Sequence, residues 1–312
     1  MYVYGVNVLG TSQRRAIWRI VKRRIGGVKT MGMGLAIDTA LRRLRRTGLT
    51  AIIATGLAAT TPTVANADVD DLLPSVSPPG ANDFTCRPSE EHPAPVVLVH
   101  GTFESAVDNW SLVSPQLKSA GYCVFALEYG NRATGDIAES AAQLARFVDA
   151  VLGATGARKV SLVGHSQGGM MPRYYIKFLG GDKNVDDLVG LAPSNHGTTN
   201  PGAFLTGATV CVACDQQRAG SAFLEQLNAG DETPGQVSYT VVETKYDEVV
   251  TPFTSAFLAG GTNTANILLQ DACPAEVIDH HEIPNSQLAI RWTLQALARS
   301  GPADPQLPPS CV

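Results

Sequence analysis

Positive charge is scarce over most of this 312-residue chain. The first 67 residues hold eleven Lys and Arg against one acidic residue, so the remaining 245 hold thirteen basic and twenty-seven acidic residues. A protein that binds nucleic acid needs a basic surface to displace counterions from phosphates. A body with a net charge near −14 lacks such a surface, so no nucleic-acid partner is expected.

Motifs for metals and cofactors are missing as well. The sequence has no calcium-loop spacing, no glycine-rich phosphate loop and no zinc-binding helix motif. Cys211 and Cys214 have no second Cys or His pair nearby, which argues against a zinc site. We therefore expect no metal ion and no organic cofactor.

The N-terminal region lacks an apolar run of the roughly 20 residues that a membrane-spanning helix needs. The apolar stretch 49–64 is shorter, contains Pro62, follows arginine pairs and precedes Ala65-Asn66-Ala67. This pattern favours a signal peptide over 31–67, cleaved after Ala67, and a secreted protein rather than a membrane anchor. The arginine pairs permit general or twin-arginine export. Residues 1–30 are then expected to be an upstream extension from a misplaced start codon.

Six cysteines follow the expected cleavage point. An even number of cysteines in an exported chain predicts disulfides. Six cysteines allow 15 pairings, so their spacing alone does not choose among them. They are Cys86, Cys123, Cys211, Cys214, Cys273 and Cys311.

The body alternates between short Val- and Leu-rich runs and helical patterns. Residues 68–83, rich in Pro, Gly and Ser, predict a linker or a surface-hugging arm. Within a domain expected over 84–300, parallel strands joined by crossover helices are predicted, which is a single doubly wound α/β domain. Strands are predicted near 94–101, 122–130, 159–166, 186–194, 237–245 and 265–271, and helices near 108–120, 136–153, 167–179 and 285–298.

A serine stands between two glycines in "VGHSQGGMM", residues 163–171. A G-x-S-x-G string is common by chance, but here it follows a predicted strand and opens a predicted helix. That setting is typical of a nucleophile elbow, in which the serine projects from a sharp turn. Ser166 is therefore the candidate nucleophile, at the carboxyl end of its strand where the reactive groups of such sheets gather.

A serine hydroxyl needs a base within hydrogen-bond reach and an acid that orients the base. "VIDHHEIP" offers His280 or His281 between the last strand and the last helix, and "TKYDEVVTP" offers Asp247 with Glu248 as its competitor. The resulting order of serine, acid and histidine is one that this doubly wound fold uses. For the oxyanion, the backbone N–H groups of Thr102 and Gln167 are the candidates.

The remaining four histidines are expected to lie outside the catalytic chain. His92 is expected at the surface, and His100 is expected to shape the loop after its strand. Strand alternation predicts that His165 points away from the rim of the site as a packed neighbour. His196 is expected at the pocket mouth.

The stretches "HSQGG", "YDEVVTP" and "VIDH" resemble secreted α/β-hydrolase lipases, both fungal lipases of the lipase B type and bacterial class 2 (triacylglycerol) lipases. The likeness spans about residues 84–298. It implies an α/β-hydrolase fold with Ser166, Asp247 and His280 as the catalytic triad. The implied activity is hydrolysis of acyl esters or acylglycerols at a lipid–water interface, by a monomer.

The resemblance also bears on finer features. It implies the disulfides Cys86–Cys123 and Cys273–Cys311, the second of which would tie down a tail over 301–312. Cys211–Cys214 remains as a local loop in a lid-like insertion, 196–236, for which a plain surface loop is the alternative. A second donation from the Thr102 hydroxyl to the oxyanion is implied too, whereas Pro172 departs from the family's elbow helix and is expected to distort its first turns.

Two other functions fit the same fold. The triad could transfer the acyl group to an alcohol in the cell envelope instead of to water. A protein with this fold could also bind a partner without catalysis, since fold does not guarantee activity.

Overall fold

The computed structural model describes residues 69–204 and 210–311. The predicted upstream extension, 1–30, and signal peptide, 31–67, lie outside these residues. Among the helices in these two ranges, none is long and apolar enough to cross a membrane.

Six parallel strands form one sheet in the order β2-β1-β3-β4-β5-β6. Every residue of the first three strands is buried, as expected for a parallel sheet that is covered on both faces. The predicted doubly wound α/β class is confirmed. The strands are β1 (Val96–Val99), β2 (Val124–Leu127), β3 (Val160–His165), β4 (Val185–Leu191), β5 (Ser238–Glu243) and β6 (Thr264–Leu268).

Helices cover both faces of the sheet. Alternation along β1 sends Val97 and Val99 into one hydrophobic core and Val96 and Leu98 into the other. Helices α3 and α4 contribute to the first core, and α1, α2 and α8 contribute to the second. Apart from a left-handed turn at Gly130–Ala133, the α-helices are α1 (Ala106–Trp110), α2 (Val113–Ser119), α3 (Ile137–Thr155), α4 (Gln167–Phe178), α5 (Val212–Gln216), α6 (Ala222–Asn228), α7 (Leu269–Ala272) and α8 (Gln287–Leu297).

Local details differ from the sequence predictions in three places. The helix predicted near 108–120 is two short helices, α1 and α2. The insertion 196–236 contains α5 and α6, which were not predicted. Pro172 lies inside α4, which nevertheless runs without interruption from Gln167 to Phe178.

The segment 69–83 packs along the free edge of β2. Asn82 accepts from the backbone N–H of Ala126 at 2.8 Å and donates to the carbonyl of Ala126 at 3.0 Å through its side chain. Its own N–H donates to Val124 O at 2.9 Å, and Glu128 N donates to Leu72 O at 2.8 Å. Leu72 is buried in the first core. This part of the predicted linker is thus an arm that pairs with the sheet.

Three disulfides join the described cysteines. They are Cys86–Cys123, Cys211–Cys214 and Cys273–Cys311, which are the pairs expected above. The first links the segment beyond the arm to the start of β2. The last links the end of α7 to the C-terminal tail, whose Ser310 carbonyl also accepts from Arg291 at 2.7 Å.

The direction of chain crossover reverses between β1 and β3. These strands are adjacent in the sheet, whereas the next strands in sequence, β2 and β4, lie on opposite sides of them. Loops that leave the carboxyl ends of such a pair diverge and open a crevice. The fold therefore places the loop after β1 next to Ser166.

Candidate active site

Ser166 lies at the turn between β3 and α4 with φ 55° and ψ −123°. A positive φ is unusual for a residue with a side chain, and it persists only where the surroundings enforce it. The residue is 7% exposed. This sharp turn between a strand and a helix is the geometry predicted for the elbow.

Two glycines allow the elbow to pack. A Cβ atom on Gly164 would overlap the carbonyl oxygen of Gly168, and one on Gly168 would overlap the carbonyl oxygen of Val99. Both obstacles are backbone atoms, which cannot turn aside as a flexible side chain can. The glycine spacing around Ser166 is thus required by the close approach of strand, turn and neighbouring loop.

His280 and Asp247 complete a hydrogen-bonded chain with the serine. His280 Nε2 is 3.0 Å from Ser166 Oγ, and His280 Nδ1 is 2.7 Å from Asp247 Oδ2. The other carboxylate oxygen, Asp247 Oδ1, accepts from the N–H groups of Val249 and Val250 at 2.8 and 2.7 Å. These two bonds fix the carboxylate, which in turn fixes the imidazole.

The competing residues lie in different places. Glu248 Oε2 faces the backbone N–H of His280 at 3.4 Å rather than its ring. The His281 side chain is 66% exposed and its Nδ1 lies 3.8 Å from Glu104 Oε1. Of the two candidate acids and the two candidate bases, the structure joins Asp247 and His280 to Ser166.

Burial governs the ionisation of this region. It lowers the pKa of His280, and the positive fields of His165 and His281 add to the effect, while the hydrogen bond with Asp247 opposes it. At the end of β5, burial and the nearby charge of Asp247 raise the pKa of Glu243 well above its ordinary value. The site thus favours a neutral His280 and a protonated Glu243.

The two predicted oxyanion donors lie on different elements, Thr102 in the loop after β1 and Gln167 at the start of α4. The N–H of Gln167 opens α4, where the first backbone donors have no partner inside the helix. The loop after β1, which carries Thr102, is held by hydrogen bonds from Gly101 N to Asn109 Oδ1 at 2.8 Å and from Phe103 N to Arg132 O at 2.8 Å. Thr102 is therefore carried on a fixed backbone beside the serine.

Side chains connect Thr102, Gln167 and Gln217, a residue that the sequence analysis missed. The Thr102 hydroxyl donates to Gln167 Oε1 at 2.8 Å rather than pointing freely at the site. Gln217 Nε2 donates to Thr102 Oγ1 at 3.1 Å and to Gln167 Oε1 at 2.9 Å. Gln217 stands just after α5, so the insertion is tied directly to the oxyanion loop.

Two histidines differ from expectation. The prediction that His165 points away from the rim is wrong, because its ring lies 4.9 Å from that of His280 and it borders the cavity at Ser166. Alternation describes the two faces of a strand, whereas His165 is the last residue of β3, where the chain turns. His196 was expected at the pocket mouth, but it does not line the cavity at Ser166, and its ring nitrogens are bonded to Ser255 O and Glu232 Oε1, each at 3.0 Å.

A cavity of about 280 Å³ opens onto Ser166. The insertion forms one wall with Thr198, Asn200, Gly202, Cys214 and Gln217, and the acid loop adds the apolar side chains of Val249 and Val250. The remaining lining residues are Thr102, Phe103, Glu104, His165, Ser166, Ser194, His280 and His281. The cavity is thus partly apolar and has the serine hydroxyl in its wall.

Solved structures similar to this chain share its fold. Aspergillus fumigatus lipase B superposes with a TM-score of 0.64 at 22% identity, over 78% of this chain and 59% of that one. The mature Bacillus licheniformis lipase BlEst2 gives a TM-score of 0.55 at 17% identity, over 68% and 94% of the two chains. At these identities the likeness supports the α/β-hydrolase fold.

Sequence comparison gives the family. Triacylglycerol lipases of Pseudarthrobacter phenanthrenivorans and Burkholderia plantarii are each 41% identical over 86 residues, or 26% of this chain. The match spans only 27% and 24% of the length of these relatives. The model of the class 2 lipase family, in contrast, matches residues 93–293. That range holds all six strands of the sheet and every residue of the hydrogen-bonded chain at Ser166, and the protein belongs to the class 2 lipase family.

Proposed function

We propose that this protein hydrolyses carboxylic esters through an acyl-enzyme on Ser166, with acylglycerols as its substrate class. The observation that carries the proposal is the buried chain of hydrogen bonds from Ser166 through His280 to Asp247, at the wall of a partly apolar cavity. Family membership and the triacylglycerol lipases among its relatives support the substrate class.

Acylation begins when Ser166 Oγ attacks the ester carbonyl and gives its proton to His280 Nε2. The new Oγ–C bond places negative charge on the carbonyl oxygen, which the N–H groups of Thr102 and Gln167 stabilise. Collapse breaks the ester C–O bond, and the imidazolium returns the proton to the departing alcohol. Water then repeats the sequence on the acyl-enzyme and releases the acid.

The low pKa of His280 suits this role. Because burial lowers it, the ring stays neutral, and able to accept the serine proton, to a lower pH than a free histidine with a pKa of about 6.5. The hydrogen bond to Asp247 stabilises the imidazolium once it forms.

Covalent labelling tests the nucleophile. A p-nitrophenyl alkylphosphonate should react once per molecule, release p-nitrophenol and leave the phosphonyl group on Ser166, where peptide mass spectrometry can locate it. Ser194 is an internal control, because its hydroxyl also borders the cavity but donates to Gln217 Oε1 at 2.7 Å. Labelling of Ser194, or of no serine, would contradict the proposal.

Gln217 is proposed to position the oxyanion loop. Gln217→Leu removes both bonds to Thr102 and Gln167, and a net value of about 1 kcal/mol per bond predicts about a thirtyfold loss of kcat. Gln216→Leu is the matched control, since Gln216 Nε2 donates away from the site to Asp136 Oδ2 at 2.7 Å. Steady-state kinetics on short-chain esters give kcat for both variants. Equal effects of the two substitutions on kcat would contradict the assignment.

We infer that the protein is exported and cleaved after Ala67. Three disulfides support this, because such bonds persist in oxidising compartments outside the cytoplasm. Expression from its own start, followed by N-terminal sequencing of protein from the culture medium, should give a chain that begins at Asp68. Retention of the uncleaved chain inside the cell would oppose the inference.

A further inference from the structure

A second polar chain lies beside the triad and has no role in the mechanism above. It runs from Glu104, in the loop after β1, to His165, at the end of β3, and on to the backbone of His280. His165 is 1% exposed, and burial of its polar ring requires that both nitrogens have partners. Its neighbours on the two sides therefore determine which nitrogens carry hydrogen.

The two partners of His165 are both oxygen atoms. Nε2 lies 2.8 Å from the carbonyl oxygen of His280, which can only accept, so Nε2 carries a hydrogen. Nδ1 lies 2.9 Å from Glu104 Oε2. A neutral imidazole has one donor nitrogen and one acceptor nitrogen, so it can satisfy both partners only if Glu104 is protonated.

The surroundings of Glu104 favour its ionised form. Its Oε2 also accepts from the backbone N–H of Gly101 at 3.0 Å, and His281 lies 3.8 Å from the other oxygen. Although burial alone would raise the pKa of Glu104, the charge and hydrogen bond of His165, with those from His281 and Asn109, hold it well below its usual range. An ionised Glu104 would accept at the same oxygen, Oε2, from both Gly101 N and His165 Nδ1.

We propose that His165 is a buried imidazolium paired with the Glu104 carboxylate, and that this pair positions His280 and keeps its ring neutral before catalysis. The inference rests on the proposed function of Ser166 and His280. His165 is covalently next to the nucleophile, so its bond to the His280 carbonyl ties the base to the elbow. It is a positioning residue, since it acts through His280.

The charged groups around His280 decide whether protonation of its ring is favoured or disfavoured. Asp247 and Glu248 face it from the loop after β5, His165 from β3, and His281 is its neighbour in sequence. The carboxylate of Asp247 favours protonation of the His280 ring, whereas the cation on His165 disfavours it. Glu104 is bridged to His280 through His165, so loss of the Glu104 charge releases the proton from His165 and removes that cation.

Imidazole ¹⁵N NMR of the labelled wild-type protein at pH 8 tests the charge directly. We expect one buried histidine with hydrogen on both nitrogens, and we expect Glu104→Gln to convert it to a neutral ring protonated at Nε2 alone. Loss of these signals in His165→Gln assigns them. His281→Asn is the matched control, because it removes the exposed partner of Glu104 and should leave the doubly protonated signals unchanged. A neutral His165 in the wild type would overturn the proposal.

The pH dependence of kcat/KM tests the consequence for His280. In Glu104→Gln the acid limb should move to higher pH by up to about half a unit, because the lost His165 cation lies roughly 5 Å from the His280 ring in a water-like dielectric and the Glu104 anion lost with it is more distant. KM should change less than kcat. An unchanged acid limb would overturn the proposed effect on His280. If the proposed function itself is wrong, Ser166→Ala will stay active, and NMR will still report the charge of His165. This outcome is therefore distinguishable from failure of the His165 proposal.

Discussion

Ser166→Ala is expected to lose release of p-nitrophenol from acyl esters by about 10⁶-fold in kcat, the scale on which a serine hydrolase depends on its nucleophile. The loss is this large because His280 and Asp247 serve only to activate the hydroxyl, and without the oxygen no acyl-enzyme can form. Residual catalysis would come from the oxyanion donors and the cavity alone. Initial rates over a range of enzyme concentrations measure this residual catalysis.

Ser194→Ala is the control for this variant. Both serines border the cavity, but Ser194 has no contact with the imidazole among the bonds described above, and its removal should act only through the position of Gln217. Thermal unfolding of both variants should match the wild type within a few degrees, which separates lost chemistry from lost structure. Retention of most activity by Ser166→Ala would refute the proposed nucleophile.

Asp247→Asn is expected to lower kcat by about 10⁴-fold, as does removal of the charge of the acid in a serine protease triad. An amide nitrogen facing His280 Nδ1 would favour the wrong tautomer, which presents a hydrogen to Ser166 Oγ instead of a lone pair. An amide also stabilises the imidazolium less than a carboxylate does. Measurement of kcat with a soluble short-chain ester, across the pH range, gives the size of the effect.

Glu248→Gln is the matched control on the same loop. The substitution makes the same change one residue away, but Glu248 contacts the backbone of His280 at 3.4 Å and not its ring. We expect kcat within about threefold of the wild type, in line with a weakly bound surface carboxylate. A larger loss in Glu248→Gln than in Asp247→Asn would reverse the assignment of the acid.

The strands of the sheet and the hydrogen-bonded chain at Ser166 could be predicted from the sequence because the patterns that indicate them are local. Runs such as "VVLV" (96–99) are buried on both faces and therefore continuously apolar, and the glycines around Ser166 are required by close backbone contacts of the elbow. Spacing alone could not separate Asp247 from Glu248 or His280 from His281. Those choices depend on which side chain faces the site after a turn, and only the resemblance to known lipases made them.

Residues missed by the sequence analysis act through distant contacts. Gln217 meets Thr102 across 115 positions of the chain, and no spacing or composition signals such a bond. Helices α5 and α6 have five and seven residues, too short for a clear helical periodicity. His165 was misplaced because strand alternation was applied to a residue whose surroundings are set by the loops that converge on it.

The arm along β2 also has a consequence for solubility. An edge strand with unpaired N–H and C=O groups is a template on which another extended chain can add, and native proteins protect such edges by covering them. Asn82 does so here by offering an amide that imitates a peptide group, bonded to Ala126 through both its donor and its acceptor. The arm contributes nothing to the cavity, yet it shields the sheet from growing into an aggregate at that side.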